Sequence, residues 1–189
     1  MEDYKLANLK KYATTHEQVK FVTHPSKISE VESFRRRARM VAAAGERILD
    51  IGGGAGIWTT ILQEEKMHLE IFAVDISRAI LLERPPSDRG VVGDIEHLPF
   101  QDDSFDRAFF FASLHHVRNT RSALAEALRV IRVGGHIVLT EPVSLRLLFL
   151  NKDIEPVDEA EFCFSIRYLV RLLHQCGVQI ACAVLSRVF

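Results

Sequence analysis

Ile48-Leu49-Asp50-Ile51-Gly52-Gly53-Gly54-Ala55-Gly56 is the stretch that most restricts what this 189-residue chain can become. An apolar run leads into an acidic residue, and glycine then stands at 52, 54 and 56 as well as at 53. The pattern reads as a buried strand ending in a tight loop, where backbone without side chains comes close to a ligand. A nucleotide-type site follows from that reading, and the glycine spacing decides between nucleotides.

The rest of the chain supplies a sheet for such a loop. From Glu46 onward short apolar runs alternate with helical segments, the signature of stacked βαβ units and a parallel sheet. Strands are expected at Arg47 to Ile51, Leu69 to Val74, Val91 to Gly93, Asp106 to Phe111 and His136 to Thr140. Several are apolar nearly throughout, as strands covered on both faces should be. Helices are expected at Ile57 to Gln63, at Ser77 to Glu83 before Pro85-Pro86, and at Arg121 to Val130, with Gly134-Gly135 turning the chain into the fifth strand. A last helix starts near Ser165 and ends at the capping Gly177, and Val178 to Val184 reads as a strand. Residues 1–44 read as a helical segment capping the site: Ser29-x-x-Glu32 is a capping box, and Val31, Phe34, Ala38 and Val41 recur at helical spacing until Gly45. The arginines at 35–37 and 39 read as a solvated face. Residues 45–189 form the α/β domain.

Composition narrows the class of partner. With 24 basic and 25 acidic residues the formal charge is -1, so no global field draws the molecule to nucleic acid or acidic lipid. Neither nucleic acid nor membrane is expected as a partner. Cys163, Cys176 and Cys182 form no C-x-x-C pair and sit in apolar surroundings, which fits reduced thiols. No run approaches a membrane span and the N-terminus has no apolar leader, so a cytoplasmic location is expected.

In an open α/β sheet, ligands sit at the carboxyl ends of the strands. Asp50 and the glycines follow the first strand, Asp75 the second, Asp94 the third, and residues 112–116 the fourth. A dinucleotide fingerprint, G-x-G-x-x-G, fails here because Ile57 occupies the place of the third glycine, which disfavours a nicotinamide-dependent oxidoreductase. Asp75 stands 23 residues after Gly52, at the end of an apolar strand, where a carboxylate can accept from both hydroxyls of a ribose.

Leu49 to Gly56, Val74-Asp75-Ile76-Ser77, Gly93-Asp94 with Leu98-Pro99-Phe100, Ser104-Phe105-Asp106 through Leu114-His115-His116-Val117, and Leu128-Arg129-Val130 through Gly134-Gly135 occur in this order. Together these blocks resemble the class I S-adenosylmethionine-dependent methyltransferases of the small-molecule type, over roughly residues 29–184. The resemblance implies a doubly wound, mostly parallel Rossmann-like sheet with S-adenosyl-L-methionine as cofactor. By the same resemblance Asp50 and the backbone of Gly52, Gly53, Gly54 and Gly56 would hold the methionine moiety. Asp75 and the adjoining Ile76 would hold the ribose, Asp94 and the Ile95 amide the adenine, and the Phe111 carbonyl the ammonium. Trp58 and Leu98 would add apolar contact.

The implied reaction is transfer of a methyl group to a small-molecule acceptor by in-line displacement. Candidate bases beyond the fourth and fifth strands are His115, His116 and Glu141; no metal site is expected, and His136 opens the fifth strand without chemistry. Residues 142–164, with the N-terminal helix, would recognise the substrate; the apolar run 143–150 reads equally as a lid over it or as core packing, and Asp153, Glu155, Asp158, Glu159 and Glu161 as a solvated acidic loop. The resemblance calls for two more strands, but only 12 residues follow Gly177, so the seventh strand is expected to be missing. That would leave the fifth-strand edge open to a homo- or hetero-oligomeric partner. A rival reading is an inactive S-adenosylmethionine-binding regulatory or scaffolding partner of another methyltransferase.

Overall fold

The computed structural model describes residues 32, 34, 35, 41–65, 68–143, 147, 150, 152–156 and 162–177. Five parallel strands build the sheet: β1 (Arg47–Ile51), β2 (Glu70–Asp75), β3 (Arg89–Val92), β4 (Phe105–Phe111) and β5 (Ile131–Thr140), in the order β3-β2-β1-β4-β5. The order reverses between β1 and β4, so the topological switch point lies at the loops that follow these two strands.

Period-2 side-chain alternation explains why the strands are apolar on both faces. Leu49 and Ile51 of β1, Val74 of β2 and Phe105 and Phe110 of β4 bury into one core cluster, with Ala123, Leu124, Ala127 and Val130 of α3 (Thr120–Val130). Leu169 and Leu172 of α4 (Ile166–Gln175) close the same face. Ile48, Ile71, Phe109 and Phe111 point the other way, onto Ile61 and Leu62 of α1 (Ile57–Glu64). Each fully buried phenylalanine of β4 contributes about 1.5–3 kcal/mol of transfer free energy. Phe34 joins the second face, edge-on to Trp58 at 5.0 Å and to Phe111 at 5.2 Å. Trp58 is thus held by aromatic packing. Of the expected N-terminal helical face, Val31 and Ala38 lie outside the described residues, as do Ser29 and the arginines at 36, 37 and 39; Arg35 pairs with Glu64 at 2.5 Å.

Three local expectations are corrected. The second helix, α2 (Arg78–Leu81), is a single turn capped by the Ser77 hydroxyl, which accepts from the Ile80 amide, and it stops short of Glu83. Pro85 cannot continue a helix and disfavours helical backbone at the residue before it, so the chain turns early. Gly134-Gly135 lies inside β5 rather than before it. The strand starts at Ile131 opposite Phe105, slips register, and resumes with His136 opposite Arg107. A Cβ on Gly135 would lie 2.7 Å from the Asp106 carbonyl, so only glycine admits this close approach. The substrate-recognition stretch expected at 142–164 holds a small antiparallel hairpin, β6 (Ile154–Pro156) with β7 (Phe162–Phe164), and Val143 bridges to Phe164. Asp153 is not a free solvated charge: it pairs with Arg167 and Arg171 of α4, drawing the hairpin onto that helix. Asp158, Glu159 and Glu161 lie outside the described residues, as does the expected strand at 178–184.

Among the described residues β5 pairs with β4 alone, and no helix is long and apolar enough to cross a membrane.

Candidate functional site

Positive φ angles at Gly52 (66°), Gly54 (51°) and Gly56 (79°) fold the loop after β1 into a sharp turn over the sheet end. Only glycine takes these angles without strain. Close approach adds a second demand. A Cβ at Gly52 would meet Ser113 Cβ at 2.7 Å, and one at Gly53 would lie 2.1 Å from the Asp50 carboxylate. The Ser113 hydroxyl in turn donates to the Ile51 carbonyl at 2.6 Å, tying the segment after β4 to the end of β1.

Asp50 lies beneath this loop, 1% exposed. Its Oδ2 accepts from Arg84 Nη2 at 3.0 Å and from the Thr59 hydroxyl at 3.5 Å, and its Oδ1 is buried without a partner. Burial pushes its pKa up, opposed by the adjacent Arg84 guanidinium. Asp50 therefore acts on the loop from below, through Gly53 and Arg84.

Asp75, at the end of β2, reaches the loop from the side. Its Oδ2 accepts from the Gly54 amide at 3.1 Å and its Oδ1 from the Ser77 amide at 2.8 Å. Each carboxylate oxygen retains a second lone pair for a hydroxyl donor. Burial raises its pKa, and the two amide bonds partly offset that rise. Beside it the Gly93 amide donates to the Asp75 carbonyl at 3.0 Å, so the turn after β3 is registered against the end of β2. In that turn Asp94 Oδ1 accepts from the Glu96 amide at 2.9 Å, while Ile76 and Ile95 are half-buried, Ile95 against the core. From α3, Glu126 accepts from the Leu98 amide, and Arg129 donates to the Leu98 and Phe100 carbonyls, clamping the same turn.

After β4 the chain makes a left-handed step at Ala112 (φ 54°) and enters a 3-10 turn over Leu114–His116. Glu141, just past β5, organises this turn. Its buried carboxylate accepts from the amides of Ser113 (3.0 Å), Leu114 (2.7 Å) and His115 (3.2 Å), and lies 2.8 Å from His115 Nδ1. A carboxylate at that distance fixes the proton on Nδ1 and leaves the Nε2 lone pair as the basic position of a neutral ring. The His116 ring packs against His115 with centroids 4.0 Å apart.

The structure thus joins Asp50, Gly52, Gly53, Gly54, Gly56 and Asp75 through direct contacts. Asp94 with Ile95, and Phe111 with His115 and His116, stand at neighbouring strand ends. Sequence reasoning missed Arg84 as a site-forming residue, because its partners in the glycine loop and beneath it lie 25 to 34 residues away, and it included Ser113 only within 112–116, without its bond to Ile51 62 residues away. It named Glu141 as a base, whereas four contacts from the turn make it the anchor of His115.

The donor set suits an adenosine-bearing sulfonium such as S-adenosylmethionine. A glycine cradle that a single Cβ would fill runs into a half-buried carboxylate whose oxygens keep lone pairs for hydroxyl donors, and a second carboxylate follows at the next strand end.

Residues 49–139 match a family model described as a methyltransferase domain. The chain is similar to a demethylmenaquinone methyltransferase of Renibacterium salmoninarum, 36% identical over 57% of this chain and 48% of that protein. It is also similar to the enzyme of the same name from Thermobifida fusca, 33% identical over 67% of this chain and 55% of that protein. The chain spans about half the length of the curated relatives it matches. Among solved structures, an S-adenosylmethionine-dependent methyltransferase of Thermotoga maritima, described as a possible histamine N-methyltransferase, shares the fold. Its TM-score is 0.67 at 21% identity, over 89% of this chain and 78% of that one.

Proposed function

We propose, because this chain belongs to the class I S-adenosylmethionine-dependent methyltransferases, that it moves a methyl group from that cofactor to a small-molecule acceptor by in-line displacement. The observation that carries the reading is the Gly54 amide bound to Asp75, which couples the glycine loop to the carboxylate that would accept the ribose hydroxyls. Bound S-adenosylmethionine would supply a methyl group already activated on a sulfonium, so the protein's share is orientation, exclusion of water and removal of a proton. The loop over residues 52–56 would hold the methionine portion, with the Phe111 carbonyl at the β4 end. Asp75 and Ile76 would bind the ribose, and Asp94 with Ile95 the adenine. His115, aligned by Glu141, would take the acceptor's proton on Nε2, and His116 would support its ring by stacking.

The curated relatives named for demethylmenaquinone, and one from Paracoccus denitrificans named for ubiquinone and menaquinone biosynthesis, support an acceptor of quinone type, of which the hydroquinone is the form that carries phenolic hydroxyls. A phenolic hydroxyl on such a ring is a proton donor suited to an imidazole base.

Calorimetric titration with S-adenosylmethionine and S-adenosylhomocysteine tests cofactor binding, and a turnover assay with hydroquinones tests transfer. Binding with turnover is expected. Binding without turnover on any acceptor would favour the inactive-partner reading, and tight NADH binding in place of S-adenosylmethionine would overturn the proposal.

The Asp75 carboxylate also sets a pH dependence. It accepts ribose hydroxyls at full, charge-assisted strength only when ionised, and burial raises its pKa from 3.8. Affinity for S-adenosylhomocysteine should therefore be level near neutrality and fall on acidification, with a midpoint above 3.8. Asp75→Asn should bind weakly and lose this dependence; a wild-type midpoint at or below the ordinary aspartate value would contradict the assignment. Fold stability moves in the opposite sense. The raised pKa values of Asp50 and Asp75 make the folded state bind protons more readily, so these two groups favour folding as pH falls from neutral toward 3.8.

A further inference from the structure

Arg84 is a long cationic side chain with no place in the functional reading above, yet its guanidinium is only 2% exposed and fully engaged beneath the glycine loop. Nε donates to Asp88 Oδ2 at 3.1 Å. Nη1 donates to the carbonyls of Gly53 and Gly54, both at 3.0 Å. Nη2 donates to Asp50 Oδ2 (3.0 Å), the Thr59 hydroxyl (2.9 Å) and Asp88 Oδ2 (2.9 Å). A Cβ on Gly56 would lie 2.9 Å from Cζ, so Gly56 is also the gap through which the guanidinium reaches the loop.

The bond to the Gly53 carbonyl has a directional consequence. In a trans peptide the C=O and the following N–H point in opposite directions. Drawing the Gly53 oxygen down onto Arg84 therefore turns the Gly54 N–H up, and that N–H is the one donated to Asp75 Oδ2. One peptide plane is strung between a buried cation at its oxygen and the half-buried carboxylate at its N–H. Planar donors in a fixed fork are what this demands, since an ammonium cannot hold two loop carbonyls and two carboxylates in one plane.

We propose that Arg84 is a positioning residue for ribose recognition, acting through the Gly53–Gly54 peptide to fix the orientation of the Asp75 carboxylate. The inference rests on the S-adenosylmethionine reading and deepens it. Without the guanidinium the peptide is free to rotate, the Gly54 amide releases Asp75, and the carboxylate loses its aim at the sugar hydroxyls while the rest of the loop still admits the ligand.

The test compares S-adenosylhomocysteine with its 2′-deoxy analogue by calorimetry, in wild type and in Arg84→Met, Arg84→Lys, Asp88→Asn and Leu124→Ala. A hydrogen bond from a hydroxyl to a charged acceptor makes wild type prefer the ribose form by about tenfold or more. Arg84→Met and Arg84→Lys should bring that preference to within about threefold of unity, with weaker binding of the ribose form and little change for the deoxy form. Two variants are used so that the ratio is still read if Arg84→Met does not fold. Asp88→Asn leaves the bonds to the loop carbonyls, and Leu124→Ala destabilises the opposite core cluster; both should keep the wild-type preference. A preference retained in the Arg84 variants, or lost equally in Leu124→Ala, overturns the inference. Absence of S-adenosylhomocysteine binding in wild type overturns the functional reading itself, and ribose positioning with it.

Discussion

Gly53→Ala is expected to abolish S-adenosylhomocysteine binding and to destabilise the fold by about 3–5 kcal/mol, the cost of disrupting a buried ion pair. The new Cβ would lie 2.1 Å from the Asp50 carboxylate, which is itself paired to Arg84. Either the loop rises, releasing Gly54 from Asp75, or Asp50 is driven out and Arg84 loses an anionic partner. Both routes damage the cradle. Gly45→Ala is the control: its φ of 81° is left-handed, but a Cβ there meets nothing within 4 Å. It should cost only about 1–2 kcal/mol and spare binding. Urea unfolding midpoints and titration calorimetry on the two variants separate steric conflict from backbone strain, and near wild-type stability for Gly53→Ala would refute this account of the loop.

Glu141→Ala and His115→Gln should divide structure from chemistry. Removing Glu141 strips three amides and an imidazole of their acceptor. A loss of about 2–4 kcal/mol in stability follows from leaving such donors unsatisfied. Activity should fall with it as the turn after β4 loosens. His115→Gln retains a donor toward Glu141 and should leave stability within about 1 kcal/mol of wild type. Its kcat should drop by about 10²- to 10⁴-fold near neutral pH, the usual contribution of a general base. A kcat within a few-fold of wild type would mean that another group, or solvent, takes the proton.

The difference between β1 and Arg84 shows what the linear chain makes legible. β1 spans Arg47–Ile51 as expected, because burial on both faces and the glycines at its end are local properties of adjacent residues. The same holds for α1 and α3, each within a residue of expectation at either end. Asp75 and Asp94 are legible for a related reason: parallel strands place their carboxyl ends side by side, so position in the strand pattern locates the residue in space. Arg84 carries no such signal. Its six hydrogen bonds are made possible by an early helix stop before two prolines, and four of them reach back 25 to 34 residues. The slip in β5 escapes for the opposite reason, since Gly134-Gly135 has the composition of a turn, whereas Gly135 is required by close approach to the Asp106 carbonyl on the neighbouring strand. The hairpin of β6 and β7 has strands of three residues each, too short for alternation to register.

The Glu141 anchor makes the turn after β4 part of the sheet's own cooperative unit. Loops at strand ends ordinarily open on their own, at a free energy well below that of global unfolding. Here four contacts converge on one buried carboxylate, and a fifth bond, from Ser113, leads to β1, so the bonds break together or not at all. Breathing of residues 113–116 is thereby tied to separation of β4 from β5. An acceptor would meet His115 already aligned, and the conformational search during its binding falls instead to whatever covers the site from outside the sheet.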